Sequence, residues 1–319
     1  KIGGDGLGLL AYYDRDNANL KVAHCNDLAC TGATITTLDS SGDVGQEASL
    51  AIGVDGLGLL AYLNYTDFKL KVAHCNNAAC SSATLSTLGD ADGAISMAIG
   101  ADDRGLIAYN DSFSGIMVAH CSDVACTTAT TAPLANRAMP YTAVAVGTDD
   151  RALIAFQDSV TNRMEVAHCS DLACSSATIT EVDVADCHTS PTRPLSIAIG
   201  PDGFGLIAYT DINYNLKAAH CLNTACTISS VTTVKAGLNG QDVGFTIGAD
   251  GFGLIGYEYQ NDLMLAHCNN RICTRATLVP FDAGGLAGNK SLTLGSDGLP
   301  LVGYFIYEGS YEPRLKVTP

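Results

Sequence analysis

Residues Ile52-Gly53-Val54-Asp55-Gly56-Leu57-Gly58-Leu59-Leu60-Ala61-Tyr62, followed by Leu70-Lys71-Val72-Ala73-His74-Cys75, decide the fold, because the same text returns along the whole chain. Its Asp recurs at 5, 55, 102, 149, 202, 250 and 297, a period of 47 to 53 residues. Six copies run on into the His-Cys segment, at His24, His74, His120, His168, His220 and His267. The seventh closes with Arg314-Leu315-Lys316-Val317-Thr318-Pro319. A period of this size belongs to stacked supersecondary units, each too small to bury its own apolar faces.

Each unit holds four short stretches rich in Val, Ile, Leu, Thr and Tyr, which read as strands. In the second repeat they are A near Ser49 to Gly53, B at Gly58 to Tyr62, C at Leu70 to His74 and D at Ala83 to Leu88. Asp-Gly between A and B signals a tight hairpin, since Gly takes the positive φ that such a turn requires. Asp102-Asp103 and Asp149-Asp150 keep the Asp and lose the Gly. In strand B, Leu57, Leu59 and Ala61 alternate with Gly58, Leu60 and Tyr62, so both faces are apolar and both need cover. The pattern predicts an all-β, seven-bladed β-propeller of four-stranded repeats forming one domain over residues 1–319. Its blades fall near 1–46, 47–93, 94–140, 141–193, 194–242, 243–288 and 289–319. Both ends fall inside a repeat, which points to a longer parent chain or to a partner over the last sheet edge.

Thirty-three acidic against 17 basic residues give a net charge of −16, which repels nucleic acid and anionic lipid. No apolar run is long enough to span a bilayer, so membrane insertion is not expected. The 33 glycines and a 47% hydrophobic fraction fit many short strands joined by tight turns rather than disorder.

The string Ile-Gly-x-Asp-Gly-x-Gly-Leu-Ile-Ala-Tyr-x-Asp, continued by Leu-Lys-Val-Ala-His-Cys, resembles the tandem propeller repeats of bacterial secreted and cell-surface proteins, over almost the whole chain. The resemblance implies the fold and an extracellular or cell-surface setting, and it brings no catalytic residue set. The seventh copy departs from it by lacking the His-Cys segment and strand D. The first has only the end of strand A.

Twelve of the thirteen cysteines form pairs five residues apart: Cys25-Cys30, Cys75-Cys80, Cys121-Cys126, Cys169-Cys174, Cys221-Cys226 and Cys268-Cys273. Each pair flanks a four-residue loop between strands C and D, within disulfide reach. Such short loops contribute about 2 kcal/mol each by loop-closure entropy, and six of them indicate an oxidising compartment. Zinc is the competing reading, but His24 and Cys25 are successive strand residues and point to opposite faces. The six histidines are expected to be structural, each hydrogen-bonding a turn or a neighbouring blade. Cys187 is left over, beside His188 and near Arg193 in the longest connection from D to the next A. An unpaired thiol or an intermolecular disulfide is the plainer reading of Cys187, and a Cys-His nucleophile the sharper one.

The A–B and C–D connections share one end of a propeller and are regular here, while the B–C and D–A connections share the other and vary. That varied end is where ligand contact is expected. Asp14, Asp111, Asp158 and Asp211 follow strand B, with Glu258 and Glu308 adding charge in the last copies. Plainly read, each caps its own turn. In the functional reading they line a ring for Ca²⁺ or a cationic ligand, and no other cofactor is expected. Tryptophan is absent, as is the sialidase Asp-box. The chain therefore reads as a non-catalytic extracellular module binding a protein or glycan. The alternatives are a carbohydrate-active hydrolase or lyase, and a self-associating structural subunit of a surface assembly.

Overall fold

The computed structural model describes residues 1–136, 141–158, 160–161, 163–183, 195–238, 243–282, 286–307 and 313–318. All regular structure among them is antiparallel β-sheet, each sheet built from one sequence repeat, and the five four-stranded sheets run in the order A-B-C-D. The second repeat is representative, with A at Val44–Ile52, B at Gly58–Asn64, C at Lys69–Cys75 and D at Ala83–Asp90. Strand B is buried along its whole length, because apolar side chains leave both of its faces. Fully buried Leu59, Leu60 and Leu70 contribute about 2 kcal/mol each by burial.

The propeller class holds, but the expectation of seven equivalent four-stranded blades does not. Six sheets carry a disulfide hairpin and form the blades; the seventh repeat folds as a three-stranded sheet of Leu286–Leu294, Pro300–Tyr307 and Pro313–Thr318. Its sequence supplies strands A to C and no His-Cys loop to lead into a D. In the first blade, strand A is reduced to a single bridge between Ile2 and Gly8.

The chain divides into two compact units, Lys1–Val146 with Asp150–Ile154 and Ala167–Thr178, and Gly147–Asp149 with Ala155–Val166 and Ile179–Pro319. In the first unit, successive blades are joined along their A strands through serine: Met97 N–H donates to Ser49 Oγ and Val144 N–H to Ser96 Oγ, both at 3.0 Å. Neighbouring A–B turns also meet, with Gly4 N–H donating to the Gly56 carbonyl at 3.0 Å. Gly58 must be glycine for a separate reason: a Cβ there would lie 2.9 Å from both Cys75 Sγ and Leu9 of the preceding blade. Asp103 and Asp150 hold the left-handed turn position without glycine, at φ of 64° and 65°.

Each disulfide spans a Cα separation of 4.7 to 4.8 Å, but the two cysteines do not face each other across the C–D ladder. Cys25 pairs with Ala33 in register, and Cys30 sits inside the loop at φ 51°. The bridge therefore pins the loop to the end of strand C. An Asp or Asn reinforces it, as where Asp27 accepts the Thr31 N–H at 3.0 Å.

Candidate functional site

The two ends of the blades are built on different principles. At the A–B and C–D end, the turn Asp uses both carboxylate oxygens. Asp55 Oδ1 accepts the Leu57 N–H at 3.0 Å, while Oδ2 meets His74 Nε2 at 2.9 Å. The same pair recurs at Asp5–His24 (2.8 Å), Asp102–His120 (2.8 Å), Asp202–His220 (3.0 Å) and Asp250–His267 (2.8 Å). Alternation along strand C sends the imidazole to this turn and the neighbouring sulfur into the core. His168 lies in the same place in the fourth repeat. Five histidines are thus tied each to its own A–B turn.

At the B–C and D–A end, the carboxylates singled out in the sequence cap turns. Asp14 accepts the Asp16 N–H at 3.2 Å and pairs with Lys21 at 2.5 Å. Asp111 accepts the Phe113 N–H at 3.0 Å, Asp158 the Val160 N–H at 2.8 Å, and Asp211 the N–H groups of Asn213 and Asn215 at 2.9 Å. Among the described residues no three His, Cys, Asp or Glu side chains gather at one ion-sized point. Glu258 is nearly buried and lies 3.8 Å from Lys290, whose side chain is fully buried. Lys290 occupies the strand A position held by Ile95, Leu195 and Val243 in other repeats, so the pair replaces an apolar contact. Cys187, His188, Arg193 and Glu308 lie outside the described residues.

Beneath this end runs a seam that sequence reasoning missed. Five C–D pairs carry a register shift near the start of strand C, such as that between Leu70 and Lys71, and the bulge re-aims the residue that follows it. After the bulge in the first blade, Asp39 turns to the second, accepting from the Tyr62 hydroxyl at 2.8 Å and pairing with Lys71. Asp183 does the same with Tyr209 and Lys217, both at 2.6 Å, and Asp282 accepts from Tyr304. Burial pushes the Asp39 carboxyl up, but the donors Lys71, Ser41 and Tyr62 together hold it below its ordinary range. In the second repeat an inserted Gly89 moves Asp90 onto Lys69. In the fifth, Lys235 stands where Asp would be, and in the sixth the buried Tyr257 hydroxyl has no partner among the described residues. The co-occurrence of Asp, Tyr and Lys across repeats was the available signal.

The turns above the seam present aromatic side chains. Ala18, Phe68 and Tyr214 each precede the first leucine of strand C by two residues, with φ of 53°, 55° and 58°. Their carbonyls accept N–H bonds from the D–A connection: Val44 to Ala18 at 3.0 Å, Ala91 to Phe68 at 3.0 Å and Leu238 to Tyr214 at 2.7 Å. A bulky residue in this left-handed region is strained, and Ala18 shows that the turn does not demand one. Phe68 and Tyr214 are nonetheless about half exposed, Tyr65 stacks tilted on Phe68 with centroids 5.1 Å apart, and Phe113 is 96% exposed.

No protein-family model and no curated protein matches the sequence. Solved structures match in fold. A catalytically inactive variant of virginiamycin B lyase from Staphylococcus aureus superposes at a TM-score of 0.63 with 12% identity, covering 98% of this chain and 99% of that one. The lectin SapL1, in complex with alpha methyl fucoside, gives 0.58 at 10% identity over 86% and 98%. The polysaccharide lyase Uly1 gives 0.56 at 9% over 100% and 90%. These likenesses show a β-propeller and nothing finer. Six disulfides fit an oxidising environment, and no helix among the described residues is long and apolar enough to cross a membrane.

Proposed function

We propose that the protein is a non-catalytic binding module of an extracellular or cell-surface setting, and that its ligand, a protein or glycan, is held on the B–C turns. The observation that carries this reading is the placement of Phe68 and Tyr214 at strained, left-handed turn positions where nearly half of each side chain stays exposed. Strain persists where the surroundings over-determine it and clusters at ligand contacts. The same turn position holds alanine in the first blade, so folding alone does not select an aromatic. The Asp and Asn caps and the D–A N–H bonds fix the backbone, which leaves the side-chain tips pre-organised for contact. Lectin and lyase neighbours support a carbohydrate as one ligand class. The hydrolase or lyase reading is weaker, because the carboxylates of this end are spent on capping and pairing.

The test is a screen of the wild type and of the double variant Phe68→Ala/Phe113→Ser on a combined array of microbial glycans and peptides. Binding by the wild type that the variant loses, with unchanged thermal unfolding, supports the reading. Release of new reducing ends or unsaturated sugars from any arrayed polysaccharide sinks it in favour of an enzyme.

A further inference from the structure

We propose that the varied end of the second and third blades takes a lysine- or arginine-rich polypeptide segment of a partner protein. This rests on the binding reading above and names the partner chemistry of that same surface.

The surface is continuous. The Phe68 carbonyl accepts the Ala91 N–H at 3.0 Å, and Asp92, the next residue, donates its N–H to the Asn110 carbonyl at 2.9 Å. Ser112 Oγ and Asn110 Nδ2 both donate to the Asp92 carboxylate, and Phe113 follows directly. The Tyr65–Phe68 pair and Phe113 are thus laced together across a carboxylate.

Among the described residues this surface offers no free cation. Its two lysines are already taken, Lys69 by Asp90 and Lys71 by Asp39, while Asp67, Asp92 and Asp111 form no ion pair among the described residues. Burial pushes the Asp92 carboxyl above its ordinary range; the Asn110 amide works against this and the Asp111 charge adds to it. Carboxylates without a counter-ion call for a group that carries both N–H and positive charge. Exposed aromatic faces beside them select the same chemistry through cation–π attraction. The chain holds such contacts of its own: Lys71 Nζ lies 5.8 Å from the centre of the Tyr62 ring, and in the second unit Lys235 Nζ sits 4.3 Å from the centre of the Tyr259 ring.

The probes are fluorescent octalysine and octaarginine, with octaglutamate and the neutral glycans of the array as controls, at about 0.15 M salt so that charges beyond about 8 Å are screened. Wild type is expected to bind the basic peptides. Phe113→Ser should weaken them about tenfold without changing net charge. Asp92→Asn should weaken them to a similar degree while raising the unfolding temperature, because its carboxyl is held against its preference at neutral pH. Asp171→Asn removes the same charge at the opposite end and should leave affinity within twofold. Equal losses in Asp171→Asn, or no loss in Phe113→Ser, would mean bulk attraction to an acidic protein and overturn the proposal. Neutral glycans bound through Phe113 while the basic peptides fail would also overturn it, yet leave the binding surface in place.

Discussion

Tyr62 and Tyr257 occupy the same place in two blades, both buried and both paired across strand B to strand C, with Lys71 in one case and Met264 in the other. Around Tyr62 the seam is complete, with Asp39 accepting from the hydroxyl and Lys71 neutralising the carboxylate. Around Tyr257 it has decayed: the Asp position is Lys235, the Lys position is Met264, and the hydroxyl meets no partner among the described residues, with burial pushing its pKa up. The junction of the third and fourth repeats has lost all three, with Ala135, Phe156 and Glu165 at these positions. Asp and Lys are kept or lost together, because either charge without the other is a buried ion without compensation, whereas the tyrosine stays at Tyr109 and Tyr257 without them. Divergence among these repeats is therefore confined by the seam and free above it.

That comparison is most severely broken at Asp39. Asp39→Ala should cost about 3 kcal/mol in urea unfolding, since it strands the Lys71 ammonium and the Tyr62 hydroxyl. The triple replacement Asp39→Ala/Tyr62→Phe/Lys71→Met should cost less than Asp39→Ala alone; a larger cost would mean the three do not act as a set. Acid should expose the same seam. Asp39 has a folded pKa below its unfolded value near 4, so its stabilisation is present above that value and is lost as pH falls through the folded one. The urea midpoint is expected to drop below about pH 4, and Asp39→Asn should flatten that drop. An unchanged slope would remove Asp39 from the account.

A single substitution made twice sharpens the contrast. Tyr62→Phe should destabilise by about 1 kcal/mol, whereas Tyr257→Phe should be neutral or stabilise by up to about 1 kcal/mol, because it deletes an unsatisfied hydroxyl. Equal penalties would show that the Tyr257 hydroxyl has found a partner. The smallest effect belongs above the seam: Phe68→Gly should raise stability by about 0.5 kcal/mol by relieving a left-handed aromatic. A loss there would mean that Phe68 holds the fold rather than a ligand.

Period and alternation made the strands, the Asp-Gly turns, the disulfides and the turn-bound histidines readable from Ile52 to Cys75 alone, since these depend on neighbours in sequence. The caps at Asp14, Asp111, Asp158 and Asp211 were readable as caps for the same reason. The blade count was misjudged because a repeat that supplies strands A to C was counted as a whole blade. The seam escaped because a bulge decides whether Asp39 faces its own blade or the next, and one inserted residue, Gly89, reverses the outcome for Asp90. Glu258 looked like a ligand carboxylate because its counter-ion, Lys290, lies a full strand away where other repeats are apolar. The aromatic turns went unread because left-handed φ at Phe68 and Tyr214 is a property of the folded turn, invisible in a string that permits Ala18 at the same point.

The N–H bonds from the D–A connection to the carbonyls of Ala18, Phe68 and Tyr214 hold the turn by its backbone alone. Whatever side chain rides on that carbonyl is interchangeable, so each B–C turn behaves as a cassette clipped between a strand-end cap and a main-chain latch. Unequal crossover between its own repeats could then shuffle contact residues among blades without disturbing a strand, letting such a gene diversify its recognition surface from internal stock.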